Sequence, residues 1–251
     1  NYFPAISLQF SNLLIKDPMA NNDTLLFATN AFLNFDAYDL INKKYIVRKL
    51  VLKNGSLTAK VSTDGKENFN VFVPNNKPEN KNFKFSLDQL NLKDFSLNYQ
   101  NIPLRQEYDF TISDSKLKGQ FSNKEYDLNI ISSMLVNKFD LEGVNYISSK
   151  NANTEIILHV INDPFSLTVK KGKLKIADMN FFLEGDYKSS KKDMLNLNIK
   201  GNQIQISEIF SVLPLDYASI KTKYSSEGIF NFDGNLNGEM NKEQPLSFVV
   251  N

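Results

Sequence analysis

The 251-residue chain has no cysteine, no tryptophan, one histidine (His159) and arginine only at Arg48 and Arg105. Each scarcity removes a class of chemistry. Without cysteine there are no disulfides, thiolate metal sites or cysteine nucleophiles, and redox chemistry says nothing about compartment. A single histidine leaves little from which to build a zinc site or a histidine-based triad. His159 falls in the apolar pattern 156–161 and reads as a strand residue that packs or meets solvent. Phosphate-cradling glycine loops are missing: neither G-x-G-x-x-G nor G-x-x-x-x-G-K occurs. Positive charge is almost all lysine, and acidic residues balance it to a net +1. Lysine reads phosphate and base edges less well than arginine, so no nucleic-acid partner is expected. No apolar run reaches the roughly 20 residues that span a bilayer, and no secretory signal is visible.

What the chain does have is alternation. Apolar residues recur at every second position, the period of a strand with one buried face. The pattern is densest from Leu25 to Val73. Leu25, Phe27, Ala31, Leu33 and Phe35 lead to Asp36, an N-cap for a short helix carrying Tyr38, Leu40 and Ile41. Tyr45, Val47, Leu50 and Leu52 resume the alternation. Asn54-Gly55 then reads as a tight hairpin, with Leu57, Ala59 and Val61 as its return strand. Asp64-Gly65 reads as a second hairpin, followed by Phe69, Val71 and Val73. Before this unit, Ile6, Leu8 and Phe10 alternate and then shift phase at Leu13 and Ile15, the mark of a bulge or bend. After it, residues 74–82 are polar and proline-containing, a loop or sub-boundary within a single region spanning 1–251.

From Phe83 onward the chain is strand-like, with Glu142-Gly143, Lys171-Gly172, Glu184-Gly185 and Lys200-Gly201 as reversals. Ser207 is placed to cap a helix over 208–213 that ends at Pro214, and Asp216 to cap another through Tyr224. Asp233 to Gly238 superficially resembles a calcium loop, lacks its alternating acidic ligands, and reads as a turn. No carboxylate pair stands out as acid and base. No metal, cofactor or catalytic residue is expected.

The predicted fold is all-β: a long antiparallel meander of about 14 or more strands, at the usual ~5–6 residues each, with two or three short helices at sheet ends. The period of two assigns Leu33, Phe35, Val47, Leu52, Leu57, Phe85, Leu97, Phe110, Leu128, Leu167, Leu174, Leu183 and Leu197 to one apolar side. Asn34, Lys53, Thr58, Lys84, Asn98, Thr111, Asn129, Thr168, Lys175 and Asn196 fall on the other. Too few helices exist to cover that apolar side, so the sheet must form a sandwich, close into a barrel or curl into a trough. On the residues alone, an apolar groove and an ordinary phenylalanine-rich core both remain open.

Three blocks in order resemble AsmA-family proteins and the similar TamB-like group. The first is Phe3-Pro4 before a strand, LLFATNAFLNF, the short helix with Leu40, IVRKLVLKNGSL, and Asp64-Gly65 with Asn68. The second runs from KFSLDQLNLKDFSLNYQN to EGDYKSS. The third is ISEIFSVLPLDYASIKTKYSSEGIFNFDGNLNG. The resemblance covers most of the chain through degenerate hydrophobic patterns. It implies a curled, taco-like β-groove with an apolar concave face, lined by the apolar residues named above. It further implies a Gram-negative, periplasmic, inner-membrane-tethered protein with no enzymatic activity. Such a protein would take part in phospholipid transport and outer-membrane biogenesis or maintenance. Phospholipid or another acyl-chain lipid is the implied partner, with protein partners in the envelope. The membrane helix and remaining groove of that family are not in this sequence, so the chain is expected to be part of a longer protein whose anchor lies elsewhere. The alternatives are an interaction module accessory to an outer-membrane assembly complex and, more weakly, a carbohydrate-processing enzyme. The latter is disfavoured by the missing tryptophan platforms and carboxylate pair.

Overall fold

The computed structural model describes residues 5–20, 23–69, 83–121, 124–189, 193–212, 227–240 and 247–250. It is all-β, as the alternation requires. Twelve strands form one open, curled sheet in strict sequence order, from β1 (Ala5–Lys16) at one edge to β12 (Ser247–Val250) at the other. Between them lie β2 (Thr24–Asp36), β3 (Tyr45–Val61), β4 (Phe83–Asn101), β5 (Gln106–Lys118), β6 (Glu125–Leu141), β7 (Val144–Asn162), β8 (Phe165–Ile176), β9 (Met179–Lys188), β10 (Met194–Gln205) and β11 (Ile229–Glu239). Helix α1 (Ala37–Ile41) follows β2, and Asp36 caps it by accepting from the Tyr38 N–H. Helix α2 (Ile206–Val212) follows β10 and also touches β7, three strands away, which it can do because the sheet curls. The expected helix through Tyr224, Pro214, Val71, Val73 and the 74–82 loop lie outside the described residues.

Among the described residues the strands are fewer and longer than expected, reaching 19 residues in β4 and β7. The reason is that several expected reversals are bends within strands. Asn54-Gly55 is the clearest. Asn54 does take a positive φ of 52°, but β3 continues straight through it for 17 residues. One left-handed residue bends a strand, whereas reversing it in a two-residue turn takes a second special residue. Gly55 is required for another reason: a Cβ there would lie 2.1 Å from the Phe27 carbonyl oxygen and 2.8 Å from the Phe95 ring. Gly55→Ala is therefore expected to cost about 3 kcal/mol, high in the range for overpacked sites, measurable by chemical denaturation. Lys171-Gly172, Glu184-Gly185 and Lys200-Gly201 are likewise inside β8, β9 and β10, and 233–238 lies inside β11 rather than in a turn. Glu142-Gly143 does reverse the chain, between β6 and β7, with φ of 55° and 83°. Asp64-Gly65 also turns, closed by Ser62 N–H to the Lys66 carbonyl and Gly65 N–H to the Ser62 carbonyl.

The bends align across strands. Asn12 in β1, Thr29 in β2, Asn54 in β3, Asp94 in β4 and Ser113 in β5 occupy one line, each skipped by the pairing of its neighbours. Asn12, Asn54 and Asp94 have φ of 56°, 52° and 50°. Polar side chains there satisfy displaced ladder groups: Thr29 Oγ1 donates to the Asn54 carbonyl at 2.9 Å, and Ser113 Oγ to the Ser133 carbonyl at 2.9 Å. Crossing this crease exchanges the alternation by one residue, the phase shift seen between Phe10 and Leu13. Both sides consequently present apolar residues to the same face, and the sheet folds toward it. Ala28, Ala31, Leu52, Phe95 and Ile112, drawn from four strands on both sides of the crease, are 0–5% exposed there.

The other departure from a simple meander is the β3–β4 pair, which is parallel, with Leu57 beside Leu97. β4 therefore begins beside the start of β3, whereas every other neighbouring pair is antiparallel. In the chain that joins β3 to β4, buried Asn68 ties three segments together. Its amide nitrogen donates to Asp17 Oδ2 at 2.8 Å and the Thr58 carbonyl at 2.9 Å, and its oxygen accepts the Lys60 N–H at 2.7 Å. Burial pushes the Asp17 carboxyl up, but the Asn68 amide and the Met19 and Ala20 backbones outweigh it and hold the carboxyl below its ordinary value. A depressed carboxyl stabilises the fold above its unfolded pKa, and this contribution disappears as pH falls through the folded value. Asn68→Ala is expected to cost about 1–3 kcal/mol at pH 7. Its deficit against the parent should narrow in denaturation curves taken below pH ~4, once Asp17 is protonated.

Candidate functional site

Residues paired across neighbouring strands project from the same side of a sheet. One row can be followed through all twelve strands: Leu8, Leu33, Leu50, Leu90, Leu117, Ile130, Ile156, Gly172, Leu183, Ile199, Gly234 and Val250. None is polar. The next row, one residue over and facing the other way, runs Gln9, Phe32, Val51, Asn91, Lys116, Ile131, Glu155, Lys173, Phe182, Lys200 and Asp233, mostly polar with four apolar members. The split between an apolar and a largely polar face therefore holds over the whole sheet.

Apart from Phe85, the residues that the sequence assigns to the apolar side lie on this face. Leu33 and Leu183 belong to the row above. Leu52 is in the next row, which runs Ala31, Leu52, Leu92, Ser115, Ser132, Thr154, Leu174 and Phe181 and so is polar in its middle, where Ser115 and Ser132 are buried. Leu57, Leu97, Phe110 and Val136 form another. Leu128, Leu158, Val169, Gly185, Leu197 and Leu236 form a further one, beside a row holding Val160, Leu167 and Tyr187. Phe35, Val47 and Phe85 are in register at the α1 end. Apart from Lys84, the polar set is on the opposite face: Asn34 accepts from Ser7 Oγ at 3.0 Å, Lys53 stands over the Phe32 ring at 5.2 Å, Thr168 pairs with His159, and Asn196 accepts from Asn235.

The apolar face is only partly sealed. Phe35, Val47 and Leu52 are buried, whereas Leu33, Leu57, Leu97, Phe110, Leu128, Leu167, Leu174, Leu183 and Leu197 are half-buried. No second sheet covers them among the described residues. The chain exposes 16545 Å², against about 11,000 Å² for a compact globular protein of its mass. A one-layer sheet curled toward its apolar side accounts for both facts: the crease seals its own line, and the rest stays open.

The outer face is laced with ion pairs. His159 Nδ1 lies 2.9 Å from Asp127 and Nε2 3.1 Å from Glu125, while Lys170 Nζ is 2.6 Å from Asp127. Lys170 and His159 hold the Asp127 carboxyl below its ordinary value. His159 thus meets solvent on the polar face and stays clear of the apolar one. Among the described residues, no group of acidic residues, histidine and cysteine could hold a metal ion, and no helix is long and apolar enough to cross a membrane.

One residue escaped the sequence reading. Lys150 pairs with Val136, in the row of Leu97 and Phe110, and therefore stands on the apolar face. Its signal was present: it is in phase with Ala152, Thr154, Ile156, Leu158 and Val160. The positive φ of Ser149, 54°, interrupts the count from Ile147 and hides it. No protein-family model matches the chain, and no curated protein or solved structure matches it.

Proposed function

We propose that this chain is a non-enzymatic lipid groove, holding the acyl chains of phospholipid or a similar lipid along the apolar face of its curled sheet. The observation that carries the reading is the uninterrupted apolar row through twelve strands of an open, single-layered sheet. An apolar face of this length is unfavourable in water and gains from any chain that covers it. Acyl chains fit because this row asks only for continuous apolar contact, with no directional partner. The resemblance to the AsmA family supports a periplasmic, inner-membrane-tethered setting and a part in outer-membrane biogenesis or maintenance.

Lipid extraction and mass spectrometry of the purified chain test the proposal. Co-purifying acyl lipid in near-stoichiometric amount is the expected result, and a lipid-free, monodisperse protein would overturn it. A second reading, an interaction module of an envelope assembly complex, is favoured by edge strand β1. Its Ile6, Leu8 and Phe10 are 43%, 49% and 47% exposed, and no charged residue protects Ala5 to Ile15 from strand addition. That reading expects a lipid-free chain that co-purifies with a protein.

A further inference from the structure

Lys150 is a charged side chain on the apolar face, and it has no ion-pair partner among the described residues. The contrast with other cations is sharp. On the polar face Lys138 contacts Glu107 and Asp140, Lys170 contacts Asp127 and Lys200 contacts Asp233, and at the α1 end Arg48 contacts Asp39 and Asp88. Lys150 is half-buried, and its strand partner Val136 is 4% exposed. Phe110 and Leu97 continue its row. It sits just past the end of β8, whose last pair is Ala152 with Ile176, so it stands at the rim of the apolar face. The adjacent row toward the sheet end is aromatic: Tyr99 stacks on Tyr108 at 5.5 Å, and Tyr108 on Phe139 at 4.7 Å. Tyrosines here combine an apolar body with a polar tip, the character suited to the boundary between acyl chain and headgroup.

We infer that Lys150 is a headgroup anchor, and that the groove selects anionic amphiphiles. The inference rests on the lipid-groove reading and deepens it. The chemistry recognised is a single carboxylate or phosphate on a long acyl chain. The chain lies over the Leu97–Phe110–Val136 row, and the anion meets the ammonium at the rim. A lysine stem lying along apolar side chains while its ammonium reaches the edge is the ordinary way to keep such a charge near a greasy surface. An unpaired ammonium beside the bound chain then favours a lipid that brings its own negative charge.

The test measures lipid retained by the full chain after incubation with palmitate, methyl palmitate, phosphatidylglycerol vesicles or phosphatidylcholine vesicles. The parent should retain each anionic probe about tenfold better than its neutral or zwitterionic counterpart, the usual worth of one charge-assisted contact. Preference for palmitate alone would assign the site to free carboxylates, and preference for both anions to any anionic headgroup. Lys150→Met, an apolar side chain of similar length, should bring anionic retention down to the neutral level, and Lys150→Arg should keep the preference. A thermal melt confirms that both variants fold. A parent that binds all four probes alike overturns the anchor and leaves the groove intact. So does a Lys150→Met variant that keeps the preference. A parent that binds none of them overturns both.

Discussion

Phe95→Ala is expected to lower the unfolding free energy by about 3–5 kcal/mol, the usual cost of emptying a phenylalanine site in a core. Phe95 is 1% exposed and sits immediately after the crease residue Asp94. Its register partners are Gly55 and Ile112, and Gly55 in turn faces Ala28. The ring therefore fills space that glycine and alanine leave open on two neighbouring strands, and removing it leaves a hole walled on the Gly55 side by backbone. Backbone walls collapse poorly, so the loss should fall in the upper part of that range. Because the cluster joins both sides of the crease, the variant should also loosen β1–β5 before the rest of the sheet. Hydrogen exchange checks this: amides flanking Asn54 and Asp94 should lose protection while those of β8–β10 keep theirs. Equal loss along the whole sheet would mean that the crease is not the packing centre.

The two faces were legible in the sequence because alternation is a local property. Leu167 and Thr168 point to opposite sides whatever their neighbours do, as do Leu174 and Lys175. The strand boundaries were not legible, and Asn54-Gly55 explains why. In a two-residue hairpin, Leu52 and Leu57 would pair and share a face. In the observed bent strand they also share a face, because the left-handed residue shifts the phase. Both structures satisfy the same hydrophobic pattern, and only pairing with β2 and β4 separates them: Ala28 with Gly55, and Gly55 with Phe95. The parallel β3–β4 pair was hidden for a similar reason. A parallel crossover usually declares itself by a helix of a dozen residues, whereas here the connection includes a small hairpin at Asp64-Gly65. Asn68, three positions past that turn, is bonded to Asp17, 51 positions earlier in the chain. Lys150 illustrates the reverse case, a residue whose phase was readable once the bend at Ser149 is known.

A charge placed at Leu167 is expected to abolish lipid retention without unfolding the sheet. Leu167 pairs with Val160 on one side and Tyr187 on the other, away from the cluster around Phe95, and it is half-buried. A lysine or glutamate there can reach water while the groove is empty, so the empty protein should lose little stability. Once an acyl chain covers the row, the same charge must give up part of its hydration, at a cost of about 1–3 kcal/mol. That corresponds to about a ten- to hundredfold loss of bound lipid. Leu167→Lys and Leu167→Glu should both show it, because the penalty depends on charge and not on its sign. Using both also separates this effect from recruitment of an anionic headgroup by a new lysine. Thr168→Lys, one residue along on the polar face beside His159 and Asp186, should retain lipid like the parent. Leu97→Lys should lose lipid too, but with a larger fall in stability, since Leu97 packs against the core cluster. The measurements are lipid per protein by mass spectrometry and a thermal melt for each variant. If Leu167→Lys and Leu167→Glu carry as much lipid as Thr168→Lys, acyl chains do not lie on this face, and its apolar rows await a protein partner instead.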